Sequence, residues 1–92
     1  MKELNHIQYQ IIRSLTFAEP FETLMEEVEA SEPVIVAELR TLIDSRYVQV
    51  MVDEHGNGQF RNSFYYDADN MRDFRYVATS RGQEMHDVYQ QQ

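Results

Sequence analysis

Residues 31–50 read SEPVIVAELRTLIDSRYVQV, and the change of period inside this stretch decides the fold. Ser31 can accept a first-turn backbone N–H as an N-cap, and Pro33 suits a first turn because the N–H it lacks would be unpaired there. Ile35, Leu39, Leu42 and Ile43 then recur at helical spacing, so one stripe faces a core. The same wheel turns Pro33, Ala37, Arg40, Thr41 and Asp44 outward, with Val34 and Val36 on the flanks. From Tyr47 the period changes: Tyr47, Val48, Val50 and Val52 are strand formers. A helix over 32–45 therefore runs directly into a strand over 47–53.

Upstream, two more helices are expected. Asn5 can cap a helix over 5–15, with Gln8 placed for a capping box and Leu4 with Tyr9 for a hydrophobic staple. Ile7, Ile11, Ile12 and Leu15 mark its buried face. Thr16–Glu19 breaks the pattern, and Pro20 opens a second helix over 20–29 with Phe21, Leu24, Met25 and Val28 on one side. Its other side carries Glu22, Glu26, Glu27 and Glu29, a solvated face or an acidic docking surface. Downstream, Asp53–Gly58 is a dense turn signal and Gln59–Tyr66 can return as a strand, making a hairpin tipped near Gly56–Gly58. Alternation would set Phe60, Asn62, Phe64 and Tyr66 against the helices and leave Arg61, Ser63 and Tyr65 outside. A third strand is expected over 74–78, and the three strands form a meander unless 56–73 is one long irregular loop. Thr79 caps a last helix over 80–90, with Met85, Val88 and Tyr89 on one side.

The chain of 92 residues is expected to form one α+β domain with a single small core. It contains no cysteine, which excludes disulfides, thiolate metal sites and a cysteine nucleophile. No apolar run approaches the roughly 18 residues of a membrane span, so no membrane partner is expected and the cytoplasm is the default. Sixteen acids against eight bases give a net charge of −8. The acids crowd the segment from Glu19 to Asp44, where Arg40 is the one base, whereas nucleic-acid binders are usually basic.

Catalytic and metal signals are weak. His6, His55 and His86 share no ligand spacing, so no metal is expected. Asp67–Asp73 faintly follows the start of a calcium loop, but Arg72 stands where the loop needs glycine and Ala78 where it needs a bidentate glutamate. No serine has a nucleophile-elbow context, no carboxylate pair is marked by a pocket, and no cofactor is implied. An enzyme is not expected.

Two segments carry a family resemblance. Ile35–Val48 (IVAELRTLIDSRYV) is similar to the recognition helix and following strand of winged-helix regulators, and Tyr76–Gly82 (YVATSRG) to the segment that closes the wing in bacterial regulators of the MarR and PadR kind. Thr79 and Gly82 fall on the positions where that family ends its strand and begins a dimerising helix. The resemblance implies a winged helix: a three-helix core, an antiparallel hairpin or three-stranded wing, and a C-terminal helix. It also implies double-stranded DNA as partner, with Pro33, Ala37, Arg40 and Thr41 in the major groove and Arg61, Arg72 and Arg75 on the backbone from the wing. A homodimer through Ile7, Ile11, Met85, Val88 and Tyr89 follows from the same likeness. Two positions depart from the family: Arg46 replaces its glycine after the third helix, and the base-rich face is reduced to Arg40. The alternative is an acidic winged helix that docks on a basic protein partner through its second helix with Val34, Val36 and Ala37.

Overall fold

The computed structural model describes residues 3–53 and 55–91. Helix α1 (His6–Ser14) opens with the expected reciprocal cap: the Gln8 N–H donates to Asn5 Oδ1 at 2.8 Å, and the Asn5 N–H to Gln8 Oε1 at 3.0 Å. A two-residue strand β1 (Glu19–Pro20) leads into α2 (Phe21–Glu27), and α3 (Glu32–Asp44) follows. Then come β2 (Val48–Val52), β3 (Arg61–Ser63), a 3-10 turn (Met71–Asp73), β4 (Arg75–Ala78) and α4 (Ser80–Gln90). Among the described residues the architecture is therefore α+β, four helices packed on one face of a four-stranded antiparallel sheet ordered β1-β4-β2-β3.

That order corrects the expected meander. β4 does not pair with β3; it inserts between β1 and β2, with Val50 opposite Tyr76 and Glu19 opposite Tyr76 on the other side. β1 was not expected. Pro20 can sit there because an edge position asks for no backbone donor. The second helix is shorter than expected, since Val28 already turns to extended backbone. Ser31 holds the N-cap position of α3 but its hydroxyl makes no capping bond, because Pro33 in the first turn removes one of the N–H groups it would bind.

The expected strand over 59–66 shrinks to three residues, and its faces are reversed. Opposed residues share a face, so Ser63 opposite Val50 and Arg61 opposite Val52 lie on the side of the helices, and Asn62 opposite Met51 lies on the outer side. The Ser63 hydroxyl then donates to the Tyr65 carbonyl at 2.7 Å and accepts the Tyr65 N–H at 3.1 Å. This local turn ends the strand and leaves Phe64 93 % exposed, not packed on the core. Tyr66, half-buried, does pack against it.

Ile11, Ile12, Leu15, Phe21, Leu24, Ile35, Leu39, Leu42, Val50 and Tyr76 are the largest wholly buried side chains, drawn from the first three helices, the C-cap of α1 and the two central strands. Removing this apolar surface from water is the dominant favourable term. Two backbone details close the unit. Arg46 takes φ 68°, the left-handed conformation that glycine adopts without strain, and this turns α3 into β2. Gly82 brings α4 against the Tyr47 carbonyl, while Thr79 donates its N–H to Tyr47 O at 3.0 Å and its hydroxyl to Arg46 O at 2.8 Å.

α4 is seated on α1 by rings. Tyr9 stacks on His86 with centroids 4.7 Å apart and on Tyr89 at 4.4 Å. Beside them the Glu29 N–H donates to Gln10 Oε1 at 2.8 Å, and Gln10 Nε2 lies 2.8 Å from His6 Nε2. An amide nitrogen can only donate, so His6 carries its proton on Nδ1, which reaches the Tyr89 hydroxyl at 3.2 Å.

Candidate nucleic-acid interface

The outer strip of α3 carries Pro33, Ala37, Arg40 and Thr41, all exposed as the helical wheel requires, with Val34 beside them at 43 % exposure. The carboxylates of the same helix are each drawn to its flanks by another element. Glu32 pairs with Arg72 at 2.6 Å, Glu38 accepts from Asn5 Nδ2 at 2.6 Å, and Asp44 meets the Tyr66 hydroxyl at 3.5 Å. The strip between them is slim and nearly neutral, with Arg40 as its cation. Thr41 spends its hydroxyl proton on the Ala37 carbonyl at 3.2 Å, so toward a groove it offers a methyl and lone pairs.

The arginines divide into two groups. Arg13, Arg72, Arg75 and Arg81 lie over the rings of Tyr9, Phe21, Phe60 and Tyr47, with the guanidinium 4.9 to 5.6 Å from the centroid. Such stacking holds a cation against the protein's own surface. Arg40, Arg46 and Arg61 are exposed on α3, at its end, and on the hairpin.

Arg72 corrects an expectation. It does not reach outward from the hairpin; it bridges Glu22 of α2 at 3.1 Å and Glu32 of α3 at 2.6 Å. These hydrogen bonds raise its own pKa, and the Glu22 carboxyl is lowered first by its own backbone hydrogen bond and then by Arg72. The pair is half exposed, so its ionic contribution is screened. Arg75 is half-buried beneath Phe60, and Arg61 lies beside Val52 on the side of the helices.

The hairpin tip is built as the turn residues require. Gly56 and Gly58 have φ 65° and 82°, and the Asp53 carboxylate accepts the N–H of Asn57 at 3.2 Å and of Gly58 at 2.7 Å. Those bonds, led by Gly58, hold its pKa below the usual carboxylate value. Between the end of α3 and the hairpin lies a cleft of about 230 Å³ that touches Ile43, Asp44, Arg46, Gln49, Phe64 and Tyr66.

The expected dimer residues also divide. Ile11 is wholly buried in its own core, so it is withdrawn from any interface; Ile7, Met85 and Tyr89 are half-buried and Val88 is 47 % exposed. No group of three or more potential metal ligands gathers among the described residues, and no helix among them is long and apolar enough to cross a membrane. Neither the Tyr9–His86 stack nor the Arg72 clasp was legible, since both join side chains 40 or more positions apart. No protein-family model, no curated protein and no solved structure matches this chain.

Proposed function

We propose that the chain is a winged-helix domain that binds double-stranded DNA, with α3 entering the major groove and the β2–β3 hairpin following the backbone as the wing. One observation carries this reading: Glu32, Glu38 and Asp44 are each engaged by a donor at the flank of α3, which leaves Pro33, Ala37, Arg40 and Thr41 as its outward strip. Arg40 is the base or phosphate contact, and Arg46 and Arg61 add phosphate contacts on either side. A twofold dimer through Ile7, Met85, Val88 and Tyr89 would set two such helices one DNA turn apart.

Fluorescence anisotropy with a mixed-sequence duplex across a salt series tests it. Three phosphate contacts per copy and a slope of about −0.9 per contact predict roughly a 40-fold loss of affinity between about 50 and 200 mM salt, and roughly a thousandfold for a dimer. Arg40→Ala should shallow that slope by about one contact. No binding at the lowest salt refutes the reading.

A second reading is favoured by a specific observation. Arg72 is tied to Glu22 and Glu32, so the expected wing cation is lost while Glu26, Glu27 and Glu29 remain exposed beside α3. The acidic α2 face would then dock a basic protein, with Val34 and Ala37 at its edge. Binding to a cationic protein partner that survives Arg40→Ala but is lost on replacing Glu26 and Glu27 by glutamine would select it.

A further inference from the structure

We propose that the tip of the β2–β3 hairpin is a self-modification site, at which Asn57 cyclises onto the Gly58 nitrogen, releases ammonia and ends as aspartate or isoaspartate. This chemistry goes beyond DNA binding and does not depend on it. It needs an asparagine amide close to an uncrowded nitrogen on the following residue, and Asn57–Gly58 supplies both. Gly58 has no side chain to shield its nitrogen, and its φ of 82° is one that glycine adopts without strain. Asn57, Gly58 and Gln59 are all exposed, so water reaches the site.

Two hydrogen bonds set the reacting groups. The Gly58 N–H, whose nitrogen is the nucleophile, donates to Asp53 Oδ2 at 2.7 Å. That bond is short for an N–H donor, and it aims a carboxylate at the proton that must leave. The Gln59 N–H donates to Asn57 Oδ1 at 3.0 Å, on the oxygen that gains negative charge when the amide carbon is attacked. The same bond closes an Asx-turn, which folds the Asn57 side chain back over its peptide bond to Gly58. A further bond, from the Asn57 N–H to Asp53 Oδ1 at 3.2 Å, keeps the carboxylate in place. The backbone donors, led by Gly58, also hold Asp53 ionised at neutral pH, as a general base requires.

Asp53 takes the Gly58 proton as the nitrogen bonds to Asn57 Cγ, and the tetrahedral oxygen is held by the Gln59 N–H. The proton then passes from Asp53 to the side-chain nitrogen, which leaves as ammonia and closes a cyclic imide. Water adds to either carbonyl of that ring, giving aspartate by one cleavage and isoaspartate by the other. The sum exchanges ammonia for water, with no oxidant or reductant. Either product sets a new carboxylate beside Asp53, where like charges repel. Isoaspartate also lengthens the backbone by a methylene, which opens the turn that made it.

Peptide mapping by mass spectrometry during incubation at neutral pH follows the change, because acid and amide differ in mass and the isoaspartyl peptide separates by chromatography. Residue 57 should convert about tenfold faster in the folded chain than in the chain unfolded by guanidinium, where sequence alone acts. Asn5 and Asn70, whose amides are held by Gln8 and Glu38 and by Asp67, should stay intact over the same time. Asp53→Asn still offers an oxygen to the Gly58 N–H but cannot take its proton. Its conversion at Asn57 should fall to the rate of the unfolded chain, with the urea midpoint unchanged. Conversion in the folded chain that is equal to or slower than in the unfolded one overturns the proposal and shows that the turn shields the amide. Parental conversion in Asp53→Asn overturns it as well, by removing the base.

Discussion

Gly82→Ala should destabilise this protein, although alanine is the better helix former. Gly82 sits in the first turn of α4, where a Cβ would fall inside the van der Waals envelope of the Tyr47 carbonyl oxygen and 3.3 Å from Ile12 Cδ1. The oxygen cannot easily give way, because Tyr47 is fixed by its N–H on Leu42 O at 2.9 Å and accepts the Thr79 N–H at 3.0 Å. Helix propensity favours alanine by about 1 kcal/mol. Overpacking against backbone costs about 3 kcal/mol. Loosening the Thr79–Tyr47 bond costs about 1 kcal/mol more. The net loss is about 3 kcal/mol, or a drop in Tm of roughly 15 °C for a domain of this size. Urea titration followed by far-UV circular dichroism measures it, with Thr79→Ala as a milder companion at the same joint. Stability equal to or above the parent would show that α4 is not seated on Tyr47 through this glycine.

Other variants probe separate parts of the molecule. Tyr76→Phe removes a buried hydroxyl that donates to the Met71 carbonyl and should cost about 1–2 kcal/mol in the same titration. Burial first, then the nearby Tyr66, Asp73 and Glu22 charges, raise the Tyr76 pKa, so the folded phenol keeps its proton where the unfolded one begins to lose it. The resulting stability is full below about pH 10 and falls as pH rises further. Tyr76→Phe should flatten that decline, and denaturation at about pH 9 and about pH 11 checks it. Arg46→Gly should raise stability by about 0.5–1 kcal/mol by relieving its left-handed backbone. The same change should lower the salt slope of DNA binding by about 0.9 if Arg46 meets a phosphate. Asn5→Ala should cost about 1 kcal/mol by opening the capping box, read as a lower urea midpoint.

Local physics explains what could be read from the chain alone. The Asn5–Gln8 box, the stripe Ile35–Leu39–Leu42 and the Thr79 cap all lie within a few residues of their partners, and each is found as expected. Arg46 was singled out as a misfit for its backbone, and it does occupy the left-handed region. The failures lie where distant segments meet. Period-2 reasoning along Gln59–Tyr66 assumed an unbroken strand, and the Ser63–Tyr65 turn interrupts it. β1 was too short to show a pattern and exists because β4 offers it an edge. For the candidate interface, the outward strip of α3 was legible from its wheel, but the fate of its carboxylates was not. Arg72, Asn5 and Tyr66 come to them from 40, 33 and 22 positions away.

The hydrogen bonds that run from Glu29 through Gln10 and His6 to Tyr89 have a polarity. A main-chain N–H begins the run, and a main-chain N–H cannot be reversed, so the orientation of the Gln10 amide and the tautomer of His6 are both dictated from that end. The message passes from the close of α2, across α1, to a phenol on α4, and it can be rewritten only at one point. Glutamate in place of Gln10 would still accept from Glu29, but it has no proton to hand on, so His6 would have to turn an Nε2–H toward it and accept the Tyr89 hydroxyl proton on Nδ1. A single amide-to-acid change would thus reverse the direction of donation between Tyr89 and residue 10, without moving a helix.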